Sequence, residues 1–508
     1  MFATLSMNFS PTSNQRKHVH PGASSQHRRL AASPVYGPQV RVMMHKVAPA
    51  RMYLTSMSQF LRKAVLIISA NLVAAGLAFS QSSPPANTPA EVNRSQTAPI
   101  AGQPANPSAT AALTQPAYLT PIGGFQGVLA ETVEGSTIAA QSVDDRFNPA
   151  SAVKLATALV ALQSFGPEHR FMTGLWSTGT IDKSTGTLNG DLVVTGRDPS
   201  FHYEHAVMLA RQLNDLGIRR VTGNLIVAPG FTMNFAWSAQ GSGEDFLATL
   251  DSARRSGNAT RAWLDERMLV GDTRSLSSVP SVVVSGEVLV GSAPAGATAL
   301  LTHKSSRLVD VLKALLCYSN NFMAERIGDM IGGPTGVGSA VTTRLGINPA
   351  EVALSSTSGL GVNRVTPRAM MKILRGLRDE LARNKLTLSD ILPVAGVDPG
   401  TLEDRYTDPL ERGSVIAKTG TLVRTDGGAS SLVGQMKTKS GRVVLFVIMN
   451  QRGNVVRFRQ NQDEIVAAIQ NTLGGPAAFD YHPLALSMRL ANSDYATAKS
   501  RGEYEPKD

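Results

Sequence analysis

Ser151-Ala152-Val153-Lys154 sets a hydroxyl and an amine three residues apart at the expected start of a helix, so both side chains leave one face about one turn apart. A serine hydroxyl is inert near neutral pH unless a neighbour takes its proton, and a lysine can take it when burial or a second cation lowers its pKa. Alone the pattern is weak, because any helix that opens on a serine with an exposed lysine reads the same way. Two later patterns strengthen it. Ser319-Asn320-Asn321 offers a second hydroxyl and an amide, and Lys418-Thr419-Gly420-Thr421 ends an expected strand with a cation, two hydroxyls and a glycine. Together they suit acyl transfer to Ser151, with Lys154 as base. The Ser319 hydroxyl can relay a proton to a leaving amine, Asn321 can hold an amide, and Lys418 with Thr419 can bind a terminal carboxylate. Gly420 is expected to let a substrate backbone approach the strand edge and pair as an added strand. The Ser151 and Thr421 N–H groups are candidates for an oxyanion hole.

These residues need elements to hold them. Phe125 to Ala130 reads as a strand with Ser136 to Ala140 as its hairpin mate, and Phe147-Asn148-Pro149-Ala150 leads into the helix of Ser151. Along that helix Val153, Ala156, Thr157, Val160 and Ala161 recur at three- and four-residue intervals, the mark of a core-facing surface. The middle of the chain changes character: short strands at Leu188 to Val194 and Leu225 to Val227 flank a helix from Ala206 to Leu216, as an inserted α/β module would. A helix is expected to run from Leu308 through Leu312, Leu315 and Leu316 and past Asn321 to Ile327, and another spans Pro367 to Leu381. Val415 to Lys418, Ser430 to Met436 and Val443 to Asn450 are spaced for an antiparallel sheet, and a closing helix is expected near Asp463 to Thr472.

The chain of 508 residues is long enough for more than one core. Its net charge of +11 suggests nucleic acid until the charge is located. Nine bases and no Asp or Glu lie between Met1 and Lys63, and the remainder is close to neutral, which argues against a nucleic-acid partner. Behind Arg62-Lys63, the charge-free run Ala64 to Phe79 has the form of a signal peptide, with Ala78 and Ser80 offering a cleavage site. Met52 or Met57 would then be the natural start. An uncleaved anchor is the rival reading, though the run falls short of the ~20 residues that span a bilayer comfortably. The Pro-, Ala- and Ser-rich stretch from Gln81 to Gln115 reads as a disordered linker.

The order S-x-x-K, S-x-N, K-T-G is the active-site set of penicillin-binding proteins and β-lactamases. Beyond it, Gly186 to Leu192, Gly196-Arg197-Asp198-Pro199, Ser319 to Glu325, Leu392 to Gly396, Gly400-Thr401-Leu402 and Ala417 to Leu422 occur in order. The chain thereby resembles the class C low-molecular-mass penicillin-binding proteins, D-Ala-D-Ala carboxypeptidases/endopeptidases of the penicillin-binding protein 4 type. The long interval between Ser151 and Ser319, against the shorter one to Lys418, matches that family's insertion.

The resemblance implies an α/β (α+β) fold: a β-lactamase/transpeptidase-like core, its antiparallel sheet flanked by helices, plus a smaller inserted α/β domain. The expected organisation is an upstream extension and signal peptide over 1–80, a linker over 81–115, the core over 116–170 and 299–475, the insertion over 171–298, and a tail over 476–508. It also implies catalysis by Ser151, Lys154, Ser319, Asn321 and Lys418 and substrate binding by Thr419, Gly420 and Thr421, with no cofactor or metal. Peptidoglycan stem peptides and cross-links are the expected substrates and β-lactams the covalent inhibitors, in an exported protein that is periplasmic, secreted or wall-associated. Peripheral membrane association and oligomeric state stay open. The rivals are a β-lactamase and a catalytically weak penicillin-binding sensor or scaffold. One departure stands out: Ser356 occupies the place where the family usually carries Asp.

Other conspicuous residues have plainer readings. His202 and His205 have metal-compatible spacing but read as a surface loop. Cys317, inside the apolar run Leu315-Leu316-Cys317, reads as core, and the single cysteine leaves no internal disulfide. Trp176, Trp237 and Trp263 read as packing.

Overall fold

The computed structural model describes residues 122–497. The expected signal peptide and linker lie outside the described residues.

Strands β1 (Phe125–Thr132) and β2 (Thr137–Gln141) form the opening antiparallel hairpin. A 3-10 turn over Ala150–Val153 then runs into helix α1 (Lys154–Phe165), whose first nine residues are all buried. A helix apolar on all sides belongs inside a core, and this one is wrapped by other helices.

The inserted module begins at β3 (Arg170–Ser177) and continues through β4 (Leu192–Gly196), α2 (Tyr203–Asp215), β5 (Leu225–Val227), α3 (Ala239–Leu250), α4 (Gly257–Leu269), β6 (Val288–Val290) and β7 (Thr298–Arg307). Its six-stranded sheet has the order β6-β5-β4-β3-β7-β11, where β11 (Asp494–Thr497) comes from the far end of the chain. The β4–β5 and β5–β6 pairs are parallel and the β3–β7 pair antiparallel. Leu175, Val194, Leu209, Leu213, Phe231 and Phe246 form its separate core. Strand β7 runs past position 298 to Arg307, and β11, within the stretch expected to be tail, pairs with Leu301 to Lys304.

The chain then returns through α5 (Leu308–Tyr318), α6 (Asn321–Met330), α7 (Gly333–Leu345) and α8 (Pro367–Arg383) to β8 (Val415–Leu422), β9 (Ala429–Lys437), β10 (Val443–Gln451) and α9 (Val455–Thr472). The single helix expected from Leu308 to Ile327 is two helices, because Ser319 takes a left-handed conformation (φ 55°) and ends the first. The closing helix starts earlier than Asp463: Asn454 caps it by accepting from the Val456 and Arg457 N–H groups. Its first turns are charged and mostly exposed, so the apolar pattern begins late.

The main sheet has the order β8-β9-β10-β1-β2, antiparallel throughout. Both faces are covered, as β10 shows. Leu445, Val447 and Met449 meet the helical core around α1 and α8, while Val444, Phe446 and Ile448 meet the core containing Ile465, Val466 and Ile469 of α9. Two-residue alternation with both faces buried demands an unbroken apolar run. Each such side chain stabilises the fold by ~1.5–3 kcal/mol relative to exposure. In this sheet β8 is one of the two edge strands. Its first half is closed by a loop, with Ala395 N–H donating to Val415 O and Ala417 N–H to Pro393 O.

Candidate active site

Ser151 lies in the 3-10 turn that starts α1, half-exposed and preceded by Ala150 in the left-handed region (φ 47°). A non-glycine residue there costs ~1–3 kcal/mol and persists only when its surroundings impose it. Here they do. Asn148 Oδ1 accepts from Ala150 N–H at 3.0 Å, while Asn148 Nδ2 donates to Asp426 Oδ2 at 2.7 Å and to Gly361 O at 3.0 Å. Arg364 grips the same carboxylate through two hydrogen bonds of 2.8 and 2.7 Å. Gly359 (φ 88°) packs so closely that a Cβ there would lie 1.9 Å from Ala150 O.

Lys154 is fully buried. Its Nζ lies 3.0 Å from Ser151 Oγ, 2.8 Å from Asn321 Oδ1 and 2.5 Å from the Ser358 carbonyl oxygen. Burial, reinforced by the nearby Lys418 cation, pushes the Lys154 amine well below its ordinary value. Glu325 works against this fall. Although burial alone would raise the Glu325 carboxyl, hydrogen bonds involving Ser358 and Thr357 hold it below its usual value.

The left-handed Ser319 between α5 and α6 turns its hydroxyl to Lys418 Nζ, 2.8 Å away, and Lys418 also donates to Thr419 O at 2.7 Å. Burial brings Lys418 down to about 7. The five residues thus form two hydrogen-bonded groups, Ser151–Lys154–Asn321 and Ser319–Lys418, with Lys418 near enough to act on the Lys154 charge.

Thr419, Gly420 and Thr421 lie on β8 beyond the part closed by residues 393–395. Because Ala417 N–H points outward to Pro393 O, strand alternation sends the Thr419 and Thr421 N–H groups to the same unpaired edge. Gly420 has a packing task besides the one expected. A Cβ there would lie 2.3 Å from Ser431 Oγ and 2.6 Å from Pro149 O, so the glycine lets β8 press against the nucleophile turn.

Ser356, where the resemblance leads one to expect Asp, closes a local turn: its Oγ accepts from Gly359 N–H at 2.9 Å and donates to Leu360 O at 2.8 Å. The turn that holds Gly359 against Ala150 is therefore kept. Sequence reasoning missed the Ser358 carbonyl and Arg459, whose Nη2 donates to Thr421 Oγ1 at 2.9 Å. A backbone acceptor leaves no trace in side-chain patterns, and Arg459 is one of two arginines, with Arg457, in the exposed first turns of its helix.

The remaining candidates are structural. His205 is buried, its Nδ1 accepting from His202 N–H at the start of α2, and burial lowers its ring to about 4. Among the described residues no group of His, Cys, Asp and Glu could hold a metal ion. Cys317 is buried, which pushes its thiol up to about 12. Trp263 is buried, whereas Trp237 is mostly exposed with its ring edge against Phe322, so packing accounts for it only in part.

This fold and the half-exposed Ser151 held beside the buried Lys154 define a serine acyl-transfer enzyme of transpeptidase-like architecture. A predatory endopeptidase of Bdellovibrio bacteriovorus, Bd3459, shares the fold, with TM-score 0.60 and 23% identity over 71% of this chain and 96% of that one. Penicillin-binding protein 4 of Haemophilus influenzae gives TM-score 0.52 and 22% identity over 69% of this chain and 97% of that one. The chain belongs to the D-Ala-D-Ala carboxypeptidase 3 (S13) family, whose model matches residues 110–281 and 278–472. Its sequence is 29% identical to Carboxypeptidase Rv3627c of Mycobacterium tuberculosis over 388 residues, covering 70% of this chain and 83% of that relative. It is 26% identical to the D-alanyl-D-alanine carboxypeptidase of Actinomadura sp. strain R39, covering 67% and 80% respectively.

Proposed function

We propose that the protein is an exported serine D-Ala-D-Ala carboxypeptidase/endopeptidase that acts on peptidoglycan stem peptides through an acyl-enzyme on Ser151 and is acylated by β-lactams. The observation that carries this reading is the buried Lys154 amine 3.0 Å from Ser151 Oγ. In its neutral form Lys154 accepts the Ser151 proton as Oγ attacks the penultimate D-Ala carbonyl. The oxyanion meets the N–H groups of Ser151 and Thr421. The C–N bond then breaks as the proton held by Lys154 passes through the Ser319 hydroxyl, which Lys418 holds, to the leaving amine, and Lys154 is neutral again for the hydrolytic water. Water hydrolyses the ester and restores Ser151. Asn321 orients both Lys154 and the substrate amide, while Lys418, Thr419 and Thr421 receive the terminal carboxylate at the open strand edge.

Family membership and the buried Lys154 beside Ser151 support the chemistry. The charge-free run behind Arg62-Lys63 supports export to the periplasm or wall, and N-terminal sequencing of exported protein should find a start near Gln81. Incubation with purified muropeptides tests the activity. Mass spectrometry should show loss of one terminal alanine or scission of cross-links, whereas unchanged muropeptides with pure folded protein would contradict it.

A further inference from the structure

Residues Val455–Thr472 form the helix that covers one face of the main sheet, and Gln462 fastens it there. The Gln462 Nε2 donates to Ser430 Oγ at 3.1 Å and to Asn450 Oδ1 at 3.0 Å, and Ser430 Oγ in turn donates to Gly420 O at 3.3 Å. One turn earlier on the same side, Arg459 is brought to the hydroxyl of Thr421, 2.9 Å away. Residues two apart on a strand share a face, so the Thr419 side chain leaves β8 on the same face as that of Thr421, whose hydroxyl accepts from Arg459 and donates to Gly420 O at 2.8 Å.

Among the described residues the charge on Arg459 has no acidic counterpart. Its natural partner is Asp463, four residues along the helix. That carboxylate is taken by Arg405, whose Nε and Nη2 approach Asp463 Oδ1 at 3.0 and 2.5 Å. No other carboxylate among the described residues lies within ion-pair distance of Arg459. Partial desolvation and the neighbouring Arg405 both disfavour its charged form, and the side chain remains accessible to a ligand. A fork of N–H donors held at the Thr421 hydroxyl, with its intrahelical acid diverted, has the chemistry to take up a carboxylate.

We infer that Arg459 is a specificity-determining residue that binds the substrate's free terminal carboxylate together with Thr419 and Thr421. This inference rests on the D-Ala-D-Ala peptidase reading. It gives the active site a second cation, one that stays charged when Lys418 has lost its proton. It also gives the site a reason to prefer a peptide with a free C-terminus over one whose terminus is blocked.

The test compares two peptides, one ending in D-Ala-D-Ala with a free carboxylate and the same one amidated at its C-terminus, on wild type, Arg459→Gln and Arg459→Lys. The Gln variant should lose roughly 10- to 100-fold in kcat/KM on the carboxylate peptide, the scale of a hydrogen bond to a charged group, and far less on the amide. The preference between the two peptides should therefore collapse. Arg459→Lys should restore part of it, since it returns the charge without the fork. An equal loss on both peptides would mean that Arg459 only props Thr421, and an unchanged preference would also overturn the inference. Wild type that cleaves neither peptide would overturn the peptidase reading and this inference with it.

Discussion

The amine of Lys154 is 2.8 Å from Oδ1 of Asn321, a side chain at the start of a different helix, so the second motif touches the base of the first. Asn321→Asp places a negative charge there and should raise the Lys154 pKa, because an opposite charge at this distance favours the ammonium form. The rise of the acylation rate with pH should move to higher pH in the variant, with a fall of about tenfold or more near neutrality. Stopped-flow acylation across pH measures this, and an unmoved midpoint would remove Asn321 from the base's environment.

The wild-type profile should itself be bell-shaped on carboxylate-ended peptides. Lys154, pushed well below its ordinary value by burial and by Lys418, must be neutral to accept the Ser151 proton, so kcat/KM rises through its pKa. Lys418, brought down to about 7 by burial, must be charged to attract the carboxylate, so kcat/KM falls as pH passes that value. A neutral ester substrate should lack most of the descending limb. The same limb on both substrates would contradict the assignment.

Gly420→Ala should cut acylation by about 100-fold or more, because a Cβ 2.6 Å from Pro149 O and 2.3 Å from Ser431 Oγ forces β8 away from the nucleophile turn. Acylation by benzylpenicillin measures this directly. Near-normal rates would show that the turn yields without consequence.

Asp198 allows a stability prediction away from the chemistry. It is buried, its Oδ1 accepts from Ser200 N–H at 2.8 Å and Ser200 Oγ at 2.6 Å, and its Oδ2 has no hydrogen-bond partner and lies 3.9 Å from His303 Nδ1. Burial raises this carboxyl to about 6. A folded-state pKa above the unfolded one means the folded state holds the proton more tightly, so this contribution to stability is present at low pH and lost as pH rises through about 6. Asp198→Asn keeps both hydrogen bonds without the charge and should stabilise the fold by about 1–3 kcal/mol at pH 7, with little effect at pH 4. Denaturant melts at both pH values check the sign.

Much of the site was legible because acyl transfer needs particular side chains in a particular order, and Ser151, Lys154, Ser319, Asn321 and Lys418 carry that order. The strands were legible because both faces of the main sheet are buried and so demand apolar runs such as that of β10. Backbone conformation was not legible. Nothing in Leu315 to Ile327 marks Ser319 as the left-handed residue that splits a helix, since the apolar period continues across it. Tertiary pairing was equally hidden: Asn148 with Asp426, Ser358 O with Lys154 and Arg459 with Thr421 are joined only by the fold. The close packing of Gly420 against the chain's own Pro149 was hidden for the same reason.

The central claim, that Ser151 is the nucleophile activated by Lys154, is tested most directly by intact-protein mass spectrometry after mixing with benzylpenicillin. The account predicts a stable adduct of one drug per chain that maps to Ser151, is absent in Ser151→Ala and forms far more slowly in Lys154→Met. After acylation the leaving amine stays tethered within the opened drug, so it obstructs water and the ester should outlast a peptide turnover by a wide margin. An adduct that persists in folded Ser151→Ala would contradict the assignment of the nucleophile. Rapid drug destruction without accumulation would contradict the peptidase reading in favour of a β-lactamase.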